Sequence, residues 1–261
     1  IRLFLHSREN NIKIGGQPTG RFNFLYNLSK ARGKYIALCE GDDYWTDPLK
    51  LQKQVEFLEE NDGFTMCFTD YKVVNHSKIL VKENPMEDHE KCHRTLCDIL
   101  EGNLRLPRTN TVLFKNSALP KVFSEELSGA FNGDKVTFSM LTRKGLAGYL
   151  DFKSAYYRKH EGGINSLKSK LFKRQRLIET NKKLKKVFNK KNETDALDKQ
   201  IINNLQILYH DMISVKDFCG VVFVSKQILV LNPLLLFKLY FKSLKAIIKQ
   251  KFRQKRFQNK I

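Results

Sequence analysis

No apolar run near the end of this sequence is long enough to span a bilayer. The longest uncharged stretch there, Gln227 to Phe237, falls short of the roughly 18 residues required. The front has no secretory signal, because Ile1 to Leu5 is too short and charged residues follow it. Cysteine is scarce and odd in number: Cys39, Cys67, Cys92, Cys97 and Cys219. Most of the five lie in apolar runs, where a free thiol behaves as a small hydrophobe, and this points to a reducing compartment. No Met stands at the start and the chain opens on Ile1-Arg2-Leu3-Phe4-Leu5, so further sequence is expected upstream. Acidic residues are sparse in the second part: residues 165–261 hold 23 Lys and Arg against 6 Asp and Glu, whereas residues 1–164 hold 24 against 21.

The apolar content of 41%, with 19 Phe and 9 Tyr, is enough to offset the entropy cost of ordering the chain, so a folded protein is expected. Most of the net charge of +20 belongs to the second part. The first part is a near-neutral domain. The second is a basic appendage whose partner should be polyanionic, either an anionic membrane surface or a nucleic acid. From Leu234 to Phe257, Leu, Phe, Tyr and Ile alternate with Lys and Arg, the pattern of an amphipathic helix at a lipid interface, and no recognisable nucleic-acid module accompanies it.

Phe22, Leu25 and Leu28 recur at helical spacing over Arg21 to Ala31, and Gly33 supplies a stop. Lys34 to Cys39 is a buried strand that runs into Glu40-Gly41-Asp42-Asp43. Asp47 with Pro48 starts a second helix with the stripe Leu51, Val55 and Leu58, and Phe64 to Tyr71 is a second strand. This alternation predicts an α/β domain with a mostly parallel, Rossmann-like sheet flanked by helices. Ligands bind such sheets at the carboxyl ends of the strands, where the acidic cluster falls. Residues 75–93 are polar and expected as loop. Thr95–Leu100 and Asp134–Arg143 are expected as helices, Thr111–Lys115 as a strand, and Leu146–Tyr157 as two short strands. Lys-rich helices then run over about 167–188 and 196–215, followed by an apolar stretch to Leu236.

Three carboxylates within four residues repel one another, and a divalent cation would resolve the conflict. Hard oxygen ligands suit Mg²⁺ or Mn²⁺, which keep several waters and bind substrate phosphates. The alternative is a solvated acidic turn that caps the following helix. His89, Cys92, His93 and Cys97 lie close together, but their spacing matches no common zinc template and loop packing accounts for them.

The run Ala31-Arg32-Gly33-Lys34-Tyr35-Ile36-Ala37-Leu38-Cys39-Glu40-Gly41-Asp42-Asp43-Tyr44-Trp45-Thr46-Asp47-Pro48, with Lys50-Leu51-Gln52-Lys53-Gln54 after it, resembles the donor-site segment of family-two glycosyltransferases. Gly133-Asp134 and then Tyr157-Arg158-Lys159-His160-Glu161-Gly162-Gly163 follow in that family's order, so the resemblance covers roughly residues 1–164. It implies a GT-A fold and inverting transfer from a nucleoside-diphosphate sugar to a saccharide or lipid-linked hydroxyl, with Mg²⁺ or Mn²⁺, in surface polysaccharide synthesis. By the same resemblance Asp42 is the principal metal ligand. Glu40 takes the first acid's place, where the family usually has Asp, and serves metal or donor. Asp43 holds the turn on the donor side. Asp134 is the catalytic base, though as a bare pattern it is also a plain N-cap. His160 lies near the donor diphosphate, and Arg21 and Asn23 match the Arg and Asn of the preceding helix. Trp45 is either an acceptor platform or packing. The family's first strands, which carry nucleoside contacts, are expected upstream of Ile1.

The expected organisation is therefore a glycosyltransferase catalytic domain over 1–164 and a basic helical region over 165–261 that associates with the inner face of the plasma membrane from the cytoplasm. The competing readings are a nucleic-acid-binding protein and a catalytically inactive remnant.

Overall fold

The computed structural model describes residues 4–14, 16–120, 122–160 and 169–243. A short hairpin, β1 (Lys13–Ile14) with β2 (Gln17–Pro18), precedes α1 (Arg21–Lys30). The helix ends where Ala31 turns to extended backbone. Gly33 then passes so near the next strand that a Cβ there would lie 2.9 Å from the Tyr35 carbonyl oxygen, an approach open only to glycine.

Next come β3 (Tyr35–Ala37), the acidic turn, β4 (Tyr44–Trp45), α2 (Lys50–Glu60) and β5 (Phe64–Val74). Asp47 caps the turn ahead of α2, its Oδ1 accepting from the Leu49 N–H at 2.7 Å, and the helix itself begins at Lys50. The buried stripe of α2 is rotated from the expected one: Lys50, Gln54 and Leu58 face inward, while Leu51 is exposed. Two polar residues can be buried there because they are satisfied. Lys50 Nζ donates to Gln54 Oε1, and Gln54 Nε2 donates to the Thr111 carbonyl at 2.9 Å. The Trp45 ring lies over Lys50 Nζ at 4.8 Å, and its indole N–H donates to the Asn110 carbonyl at 2.9 Å, so Trp45 packs inward.

The layer is completed by β6 (Leu80–Lys82), α3 (Leu96–Glu101), β7 (Leu113–Lys115), α4 (Glu125–Ser128), α5 (Gly133–Thr142) and β8 (Leu146–Arg158). A capping box between Thr95 and Asp98 starts α3, and Gly102, at φ 66°, ends it. The expected loop over 75–93 contains β6. The expected pair of short strands over 146–157 is one 13-residue strand whose register against β5 slips near Asp70.

The sheet runs β3-β7-β5-β8-β4, with β6 also on β5. It is mixed, which corrects the expectation of a mostly parallel sheet. Among the described strands only β5 and β8 pair in parallel; β3–β7, β7–β5, β4–β8 and β5–β6 are antiparallel. The β3-α2-β5 alternation does give two strands of one direction, but β7 inserts between them. Strands β3, β5 and β8 thus point the same way, and their carboxyl ends share one edge with the starts of β7 and β4. One face packs Met66, Phe68, Phe114, Phe138 and Leu141 into the main core, and the other packs Leu58, Cys67 and Leu113.

Beyond the sheet come α6 (Lys170–Val187), α7 (Lys191–Ser214) and α8 (Phe218–Leu231), and residues 233–243 are helical. The first compact unit extends to Leu197, past the expected boundary at 164. The reason is apolar packing: Leu184, Phe188, Ala196 and Leu197 share a buried cluster with Leu100, Leu127, Ala130 and Val136. Glu193, itself buried, receives Arg143 Nε at 2.8 Å and Nη2 at 3.1 Å. The basic residues between Lys170 and Lys191 thus belong to a segment that completes the first unit.

The second unit comprises residues 198–261. Lys216, at φ 58°, ends the α7 segment, and Asp217 caps α8 by accepting from the Gly220 N–H at 2.9 Å. Met212 lies against Gly220, where a Cβ would meet its sulfur at 2.5 Å. Ile201, Leu205, Leu208, Val224 and Ile228 are buried, whereas Phe218, Phe223, Val230, Leu234 and Phe237 stay exposed. No helix among the described residues is long and apolar enough to cross a membrane. The amphipathic segment expected over 234–257 lies outside the described residues from 244 onward.

Candidate active site

The acidic turn closes on itself through the Asp43 N–H, which donates to the Glu40 carbonyl at 3.0 Å. Because β3 and β8 end at the same sheet edge, the residues after β8 meet this turn. Arg158 N–H donates to Asp43 Oδ1 at 2.9 Å, and Arg158 Nε donates to the Asp42 carbonyl at 2.7 Å. His160 Nε2 lies 2.9 Å from Asp42 Oδ2, with 42% of the Asp42 side chain still open to solvent. The Asp43 side chain is thus bonded to the end of β8. Asp42 keeps an accessible carboxylate.

The turn carries more negative charge than its surroundings neutralise. The protein around the Glu40 carboxyl, and then Asp43, Asp42 and Asp134, push it up to about 7, although part of the residue reaches solvent and Arg108 opposes the rise. Burial is also the largest cause that raises Asp43 to about 6. The Arg158 N–H works against it, and Asp42 adds to it. Tyr157 is raised by burial first, with Arg108 lowering it and Asp43, Glu40 and Asp42 adding to the rise. This is the electrostatics of a place that gains from a bound cation. Among the described residues no three His, Cys, Asp or Glu side chains gather into a ready-made metal cage. The residues present fit a hard cation held by one or two carboxylates and completed by waters and phosphate oxygens.

Asp134 stands exposed in the first turn of α5, its Oδ1 accepting from the Lys135 N–H at 2.8 Å. It lies far from Glu40 in sequence, yet its charge acts on the Glu40 carboxyl. The helix start beneath it is tied from two sides. Arg21, buried, donates Nη2 to the carbonyls of Ala130 at 2.8 Å and Phe131 at 3.4 Å. Its guanidinium lies under Gly133, where a Cβ would meet Cζ at 2.6 Å. From α6, the Thr180 hydroxyl accepts from the Asn132 N–H and donates to Asn132 Oδ1, both at 3.1 Å. Burial lowers the Arg21 pKa, and Asp134 partly restores it. Lys135, buried and donating to the Leu100 carbonyl at 2.9 Å, is lowered to about 7 by burial, which Asp134 opposes.

The structure thus brings His160 to Asp42 within the turn that also holds Glu40 and Asp43, while Asp134 is tied to that turn through the effect of its charge on Glu40. Arg21 is committed to the backbone that leads into α5, and Asn23 lies exposed on α1, away from these contacts. His93 is taken up elsewhere: its Nδ1 accepts from the Tyr149 N–H at 2.9 Å and its ring meets Phe64. Cys92 lies against Arg94 Nη1. Two residues of the site carried no sequence signal of their own. Arg108 comes from an irregular loop, and Thr180 from a helix read as part of the appendage. Arg158 was legible only as a neighbour of His160.

No model of a known protein family matches the chain. It is 27% identical over 149 residues to WfaP of Escherichia coli, described as a UDP-Glc:alpha-D-GlcNAc-diphosphoundecaprenol beta-1,3-glucosyltransferase, a match covering 57% of this chain and 55% of WfaP. A 52-residue stretch is 60% identical to uncharacterized proteins of Mycobacterium tuberculosis and Mycobacterium bovis, covering 20% of this chain and 15% of theirs. The chain therefore spans about half the length of WfaP and a small part of the mycobacterial proteins. Residues 1–349 of S. aureus TarS superpose with a TM-score of 0.38 at 13% identity, covering 76% of this chain and 67% of that one. The chain is thus a distant relative of a bacterial glycosyltransferase.

Proposed function

We propose that this chain is a GT-A glycosyltransferase that moves a sugar, with inversion, from a nucleoside-diphosphate donor to a saccharide or lipid-linked hydroxyl in surface polysaccharide synthesis. The observation that carries this reading is the convergence of the acidic turn and the residues ending β8, with the charge of Asp134 at the start of α5 acting on Glu40. The description of WfaP as a glucosyltransferase with a diphosphate-linked acceptor supports it.

Asp42, assisted by Glu40, would hold Mg²⁺ or Mn²⁺, whose charge would stabilise the departing diphosphate. Asp43 and Arg158 keep the turn in shape, and His160 orients the Asp42 carboxylate. Asp134 accepts the proton of the acceptor hydroxyl as its oxygen bonds to the anomeric carbon and the bond to the diphosphate breaks. A single displacement of this kind inverts the anomeric centre. The test is to incubate the protein with nucleotide sugars, with and without Mn²⁺, and follow release of nucleoside diphosphate. Release that requires the metal is expected. No release from any common donor, with or without a saccharide acceptor, would overturn the transferase reading.

The second unit would serve a peripheral position at the cytoplasmic face of the plasma membrane. Exposed Phe218, Phe223, Phe237 and Phe241 stand among Lys226, Lys238 and Lys242, which suits an anionic lipid surface. Sedimentation with anionic liposomes, weakened but not abolished by salt, is the expected result. Indifference to liposomes together with a steep salt-dependent affinity for DNA would favour the nucleic-acid reading.

A further inference from the structure

We propose that Arg108 is a phosphate-binding residue of this site, its guanidinium receiving oxygens of a substrate diphosphate. The inference rests on the transferase reading above and assigns a substrate contact that neither the sequence motifs nor the acidic turn supplies. Arg108 precedes the 3-10 turn Thr109–Thr111 that leads into β7. Since β7 runs against β3 and β5, this loop lies at the edge where β3, β5 and β8 end.

The side chain is positioned by aromatic residues. Arg108 Nε donates to the Tyr71 hydroxyl at 3.2 Å, and its Cζ lies 4.4 Å from the Tyr157 ring centre and 5.7 Å from that of Tyr71. Tyr71 is itself buried in the core. The Arg108 charge acts on Glu40 and Asp43, and that of Asp134 acts on Arg108. Yet among the described residues no carboxylate comes within ion-pairing distance of Arg108, and its two terminal amino groups make no hydrogen bond.

A cation whose only task was to neutralise the acidic turn would gain most by pairing with it directly. A planar fork held by stacking, with its terminal donors open and carboxylates across a gap, is instead the geometry for an anion shared with a cation on those carboxylates. A diphosphate meets both requirements. Two substrates could present one, the sugar donor or an acceptor carried on a diphosphate.

The experiment is calorimetric titration of the full chain with inorganic pyrophosphate in the presence of Mn²⁺, for wild type, Arg108→Gln and Arg108→Lys. Loss of one charge-assisted fork should weaken pyrophosphate roughly 10- to 100-fold in Arg108→Gln, with Arg108→Lys in between and Mn²⁺ affinity unchanged. In steady-state assays, a raised KM for the nucleotide sugar in acceptor-free hydrolysis assigns the contact to the donor. An unchanged donor KM with a raised KM for a diphosphate-linked acceptor assigns it to the acceptor. Unaltered pyrophosphate affinity in Arg108→Gln, with the far-ultraviolet circular dichroism of wild type, overturns the proposal. If instead wild type binds pyrophosphate through Arg108 but turns over no nucleotide sugar, the transferase reading fails and the phosphate site stands.

Discussion

At the end of β3, three carboxylates share one turn, and two of them, Asp42 and Asp43, are held by Arg158 and His160 at the end of β8. At the start of α5, a single carboxylate stands exposed, and the protein holds the backbone beneath it. The first arrangement accumulates charge: Glu40 is driven up to about 7 by the protein around its carboxyl and by Asp43 and Asp42, and Asp43 up to about 6 by burial and by Asp42. The second fixes a position, with Arg21 and Thr180 tying the chain from Ala130 to Asn132. The difference separates two tasks that the residue type alone does not distinguish, attracting a cation and aiming a proton acceptor.

The sharpest way to break this comparison is Asp42→Ala. Metal-dependent turnover should fall roughly a thousandfold, because the cation's charge stabilisation is worth several kcal/mol. Mn²⁺ titration should show weakened binding in the same variant. A variant that binds Mn²⁺ and turns over as wild type would mean that the turn is only a solvated cap.

Asp134→Asn should cost less, about a hundredfold in kcat, with donor and pyrophosphate affinity retained, since only a proton acceptor is removed. Lost donor affinity at a normal rate would move Asp134 to the binding side of the comparison.

The smallest effect is expected from Thr180→Val, which leaves the half-buried Asn132 N–H and Oδ1 without their partner. Thermal or denaturant unfolding should report about 1–3 kcal/mol of lost stability, with kcat reduced and Mn²⁺ affinity unchanged. Thr180→Ser, which keeps the hydroxyl, should restore both. Full stability in Thr180→Val would show that the α6 brace does not hold the α5 start.

The legible parts of this protein were the local ones. Tyr35 to Asp43, the helix through Leu58 and the helix opening at Gly133-Asp134 follow from apolar runs, a glycine stop and an N-terminal acid within a few residues of one another. Other features could not be read in this way. Polar Lys50 and Gln54 lie on the inner face of α2 because Trp45 and the Thr111 carbonyl, distant in sequence, satisfy them there. The Lys-rich sequence of α6 suggests a detached basic helix, but Ile178, Leu184 and the adjacent Phe188 bury one face of it in the first unit.

The sequence by itself determined that a strand would end in a crowded acidic turn, because three carboxylates within four residues repel one another wherever they are placed. Only the tertiary structure decided which groups answer that charge. Inserting β7 between β3 and β5 brings the Arg108 loop to the shared edge, and the parallel pairing of β8 with β5 delivers Arg158 and His160 to the turn. Strand order is set by burial summed over the whole sheet, a long-range quantity that no short window of residues contains.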